Sequence, residues 1–122
     1  EYEVELYKLL SRNKGIPKIK WFGKETNLHS IWDTELIDFQ KLSYSEYTDY
    51  LLLSEDRGKI RKWQGDLVNV YIAESKNLRR QCYQFENTNL KWEYFYANKN
   101  LLEQRLLQGG VRLSGELNRI FK

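Results

Sequence analysis

His29 and Asp33 are residues whose types and spacing could do chemistry together. They lie four positions apart, so on a helix their side chains leave the same face, one turn from each other. An imidazole nitrogen and a carboxylate oxygen placed this way can grip one zinc ion at about 2.0–2.2 Å. Two readings stand at this point: two ligands of a metal, or a hydrogen-bonded His–Asp pair on a helix surface. Spacing alone does not choose between them. With 17 acidic residues in 122, an acid falls at any given offset from one His by chance roughly one time in seven.

Composition narrows the chemistry further. One His and one Cys exclude any self-contained site that needs two imidazoles, such as an HExxH protease, a two-Cys two-His finger or a three-histidine zinc centre. The single Cys82 excludes an internal disulfide framework. Near the end of an expected helix, it reads as a structural thiol or as half of a bridge to a partner, rather than as a nucleophile. Ser-His-Asp catalysis could be built only around His29, and no Ser sits in a nucleophile elbow. No Gly-rich loop suited to cradling phosphate is present.

The elements that must hold the pair follow from caps and apolar spacing. Asn27 is an N-cap for a helix over residues 28–39, with Leu28, Ile31, Trp32 and Leu36 as its apolar stripe. Before it, residues 18–22 alternate basic and apolar and predict a short extended segment, with a turn at 23–26. Ser43 with Glu46 predicts a second cap, of the capping-box kind. After a turn at 55–58, a long helix fits residues 59–82 through Ile60, Trp63, Leu67, Val70, Tyr71 and Leu78. A polar loop at 84–89 leads to a last helix over about 90–121, with a possible break at 98–100. Gly109 and Gly110 inside that helix predict close backbone packing or a kink, since each costs about 1 kcal/mol relative to Ala. Residues 1–12 predict an amphipathic helix, ended by Gly15 and Pro17. The fold class is all-α, a helical bundle with at most one short strand, in a single domain or part of one.

Charge is mild, at +3 overall, and uneven. Residues 1–61 carry 10 basic and 11 acidic residues, and residues 62–122 carry 10 and 6. The second half could present a weakly basic face, though a solvated helix surface accounts for it as well. No apolar run approaches the roughly 18–20 residues of a membrane span, and no signal-peptide pattern opens the chain. A sequence beginning Glu1-Tyr2 without Met is expected to be a processed form or a piece of something longer.

Longer strings add a resemblance. Trp21-Phe22-Gly23, then Asn27-Leu28-His29-Ser30-Ile31-Trp32-Asp33-Thr34, resembles a segment of the zinc-dependent single-strand-specific nucleases, the S1/P1 nuclease family, which shares a helical fold with zinc phospholipase C. Ala73-Glu74-Ser75 resembles a short signature on that family's long helix. The string from Glu103 to Leu113, followed by Leu117 to Phe121, is similar to its last helix. Phe39 to Tyr44 resembles the bacterial branch. The resemblance runs over about residues 18–122, with 1–17 as a non-matching lead-in helix and turn.

What the resemblance implies is a site of three zinc ions that activates water against phosphodiesters of single-stranded DNA and RNA and against 3′-nucleotides. His29 and Asp33 match the family's His-X-X-X-Asp pair, two ligands of one zinc. Trp32 would then pack the helix into the core rather than touch substrate. The family's other ligands, several His, two Asp and an N-terminal Trp, have no counterpart here, so at most a partial zinc site is expected. The chain is expected to resemble the C-terminal half of such an enzyme and to be inactive alone, needing the N-terminal half or an oligomeric partner. The resemblance implies a secreted or periplasmic protein, and an orphaned Cys82 whose plant-type counterpart pairs with the other half. The alternative is a non-catalytic helical module that binds a partner or nucleic acid. A phospholipase relative fits the tail from Arg105 to Phe121 less well.

Overall fold

The computed structural model describes residues 18–54 and 56–122. The lead-in helix expected over residues 1–12 lies outside the described residues. The class is all-α, as the spacing predicts, but the one expected extended segment is enlarged to a sheet of three short strands.

Strand β1 (Ile19–Trp21) pairs antiparallel with β2 (Lys24–Thr26), with Ile19 opposite Thr26 and Trp21 opposite Lys24. The residues predicted as a turn after Gly23 are thus a second strand. Phe22 and Gly23 join the two with φ of +49° and +84°. Positive φ at both central residues suits the strand twist of a two-residue hairpin. For Phe22 it costs about 1–2 kcal/mol. The ring recovers contacts on Trp21, Phe39 and Trp92, with centroids 5.0, 6.0 and 5.5 Å away.

A helical rod follows in three pieces: α1 (Leu28–Ser30), a π-helical stretch (Ile31–Glu35) and α2 (Leu36–Asp38). The expected helix over 28–39 is present, but its middle is widened. An unbroken α-helix would set Ile31 and Leu36, five residues apart, about 140° from each other around the axis. Both side chains are almost wholly buried in one core. The wider turn, in which Leu36 N–H donates to Ile31 O, brings them to the same side.

Helix α3 (Tyr44–Leu52) carries the full capping box at Ser43 and Glu46. The long helix expected over 59–82 is two helices, α4 (Arg57–Gly65) and α5 (Val68–Cys82). Asp66 and Leu67 between them are extended, with ψ of 142° and 162°. Arg112 holds the Asp66 carboxylate, and Leu67, expected in the apolar stripe, is exposed. The polar loop then yields β3 (Asn89–Leu90), which pairs parallel with β1.

Helix α6 (Trp92–Ile120) is the spine, 29 residues without the break expected at 98–100. Asn98 is buried, its amide N–H donates to Tyr94 O at 2.9 Å within the helix, and its Oδ1 accepts from Gln81 of α5 at 3.4 Å. The core is Ile31, Leu36, Leu90, Tyr94, Phe95 and Leu102, where the π stretch and the sheet meet the N-terminal half of α6. The close packing expected at Gly109 and Gly110 is not found among the described residues: nothing lies within 4 Å of a Cβ built there. The close approach is at Gly115 instead, where an added Cβ would lie 3.0 Å from Gln64 Cγ of α4.

Candidate metal-ligand pair and its supports

Asn27 starts the rod that carries the pair. Its backbone is extended, and its side-chain Oδ1 accepts from Ser30 N–H at 2.8 Å. One turn later His29 Nε2 stands 2.9 Å from Asp33 Oδ2. The side chains are 81% and 65% exposed, and at 2.9 Å the two groups engage each other directly, the His–Asp pair on a helix surface that spacing left as the second reading. Among the described residues no group of three or more His, Cys, Asp or Glu comes together. The pair therefore offers an imidazole nitrogen and a carboxylate oxygen, a donor set zinc accepts, but only two of the ligands a zinc site takes.

Trp32 points the other way. It packs against the core, as the resemblance implies. Its Nε1–H donates to Tyr94 Oη at 2.8 Å, and Tyr94 Oη donates to Cys82 O at 2.7 Å. Tyr94 is buried, and desolvation pushes its hydroxyl up to about 12, so it stays a neutral phenol that donates and accepts at once. Cys82 is free and half-buried, and burial raises its thiol above the usual range. That fits the structural-thiol reading and not a nucleophile.

A second cluster went unanticipated as a unit. No α5 side chain is fully buried, yet the helix is pinned to α6 by ions. Arg112 Nη1 and Nη2 donate to Glu74 Oε2 and Oε1 at 2.7 and 2.9 Å, and Nη2 also reaches Asp66 Oδ2 at 2.9 Å. Arg105 adds a 2.9 Å bond to Glu74 Oε2 and a 2.7 Å bond to Ser75 Oγ. The Arg112 guanidinium lies 4.1 Å from the centre of the Tyr71 ring. The Arg112 hydrogen bonds hold the Glu74 carboxyl down to about 2, with Arg105 adding to them and burial opposing. The blocks around Glu74 and Arg105–Leu113 stood out in the sequence as separate strings. A signal was available: Arg105 and Arg112 are seven apart on one helix face, and one acid in the neighbouring helix can serve both.

A rod presenting a His–Asp pair, packed on a long ion-pinned helix, is the frame that comparison with known proteins then places. The S1/P1 nuclease family matches residues 14–122, and the chain belongs to that family. It is similar to "Endonuclease 3" of Arabidopsis thaliana, 33% identical, over 85% of this chain and 41% of that protein. "Endonuclease 4" and "Endonuclease 5" of the same plant are each 31% identical, over 84% of this chain and 40% of each relative. The chain thus spans about two-fifths of the length of these relatives.

Proposed function

We propose that His29 and Asp33 are two ligands of one zinc ion in a nuclease site, completed by groups that the described residues do not contain. The observation that carries the reading is where the pair stands: an imidazole and a carboxylate side by side and exposed, on a rod whose other face is locked into the core. When bound, zinc supplies Lewis-acid stabilisation and an activated water for attack on a phosphodiester. The reaction is hydrolysis of single-stranded DNA and RNA and of 3′-nucleotides, in a secreted or periplasmic protein.

The chain's own residues supply position. Asn27 sets where the rod begins, the π stretch fixes which way its buried face points, and the pair stands on the opposite side. The remaining ligands belong to the residues that the relatives carry outside the matched two-fifths. Exposed apolar side chains on α5, on α6 and just after it support this: Val68 and Ile72, then Leu113, Ile120 and Phe121, are each more than half exposed. Apolar side chains left exposed in this number are what a chain shows where further protein packs on it.

The test is hydrolysis of single-stranded DNA with zinc, by the 122-residue chain alone and by the chain joined to the complementary part of an S1/P1 nuclease. No cleavage by the first and zinc-dependent cleavage by the second is the expected outcome. Cleavage by the chain alone overturns the need for further ligands. Salt-sensitive, metal-independent strand binding without cleavage by either would favour a binding module instead.

A further inference from the structure

We propose that Tyr94 is a positioning residue for the His29–Asp33 pair, acting through Trp32. This rests on the reading of the pair as zinc ligands. Trp32 lies next to Asp33 in sequence and three residues after His29, so the rotation of the rod at Trp32 sets where both donors point. Two features fix that rotation. The first is burial of Ile31 and Leu36, which is apolar and tolerates sliding. The second is directional: Trp32 Nε1–H to Tyr94 Oη at 2.8 Å, continued from Tyr94 Oη to Cys82 O at 2.7 Å.

The chain of bonds has a forced polarity. An indole N–H can only donate and a backbone carbonyl can only accept, so the phenol must do one of each. No other neutral side chain of that shape serves both ends. The three groups come from the π stretch, from α6 and from the end of α5. The Trp32 and Tyr94 rings also meet edge to face, with centroids 6.4 Å apart, and the Phe85 ring packs edge to face with Tyr94 at 6.0 Å. The widened π turn makes such an anchor useful. A π-helical stretch is a rare local geometry, and a directional bond from within it selects one rotation.

The experiment uses Tyr94→Phe, which keeps the ring and removes the hydroxyl, and Trp32→Phe, which removes the indole donor. His29 is the single His, so its ring signals in NMR are unambiguous and report a zinc titration directly. Zinc affinity at His29 is expected to fall about threefold or more in each variant, less than the roughly 10–100-fold lost when a group bonded directly to a metal ligand is removed, because Tyr94 acts one residue further away. The double variant is expected to lose no more than either single one, because both break the same bond. A global loss of stability does not produce that pattern, and denaturation of each variant is followed in parallel. Unchanged affinity in both single variants, or additive losses in the double, overturns the proposal. If zinc does not move the His29 signals of the parent chain, the zinc reading itself fails. The positioning is then decided by proton–proton contacts between His29 and Asp33, which should weaken in Tyr94→Phe; unchanged contacts refute it.

Discussion

Glu74→Gln tests how α5 is held. The substitution keeps shape and volume but removes the charge that faces Arg112 and Arg105. Arg112 is 7% exposed, so it would keep only Asp66 as a counter-charge in a desolvated place. Two routes give the magnitude. Lowering the carboxyl from 4.5 to about 2 corresponds to about 3 kcal/mol, at roughly 1.36 kcal/mol per unit. Breaking a fully buried ion pair from one side costs about 3–5 kcal/mol, an upper bound here because Glu74 is 24% exposed. Because α5 has no fully buried side chain to compensate, a loss near 3 kcal/mol is expected. The folded-state value is depressed, so the contribution is complete above pH 4.5 and is lost as pH falls toward 2. Urea denaturation of parent and variant at pH 7 and at intervals down to about pH 2.5 reads both effects. The gap should be about 3 kcal/mol at pH 7 and should narrow through the acid range. A difference under about 0.5 kcal/mol at pH 7, or a gap independent of pH, would refute the ion-pair account.

Other outcomes follow from single sites. His29→Ala should abolish zinc-induced NMR shifts while changing stability by less than about 0.5 kcal/mol, since the side chain is exposed; calorimetry and titration separate the two. Ser43→Ala should cost about 1 kcal/mol by removing the capping box of α3, measured by denaturation. Gly109→Ala should stabilise the isolated chain by about 0.5–1 kcal/mol, because its Cβ meets open space and a helix favours Ala. Ile31→Ala should cost about 2–5 kcal/mol, since Ile31 is fully buried in the core.

Local signals were legible in the sequence and long-range ones were not. Asn27 and the Ser43–Glu46 pair mark helix starts through groups only a few residues away, and both caps form as the residue types require. The His29–Asp33 pairing was readable for the same reason, being one helical turn. The π stretch was not, because it answers to burial of Ile31 and Leu36 against α6 and not to any propensity of its own. The break at Asp66 depends on Arg112, far along the chain. The same holds for β3, whose ladder partner is β1 near the start of the described residues. Asn98 read as a helix breaker because Asn favours turns in water, but burial against Tyr94 reverses that preference. The Trp32–Tyr94–Cys82 chain of bonds joins three elements, and no local pattern announces it.

The most direct test of the account is single-stranded DNA hydrolysis by the chain joined to the complementary part of an S1/P1 nuclease, compared with the same protein carrying His29→Ala. The account predicts zinc-dependent cleavage that falls at least about a hundredfold in the variant, as loss of a ligand to a catalytic metal requires. Equal cleavage rates in the two proteins, at saturating zinc and equal stability, would contradict the assignment of His29 and Asp33 as metal ligands.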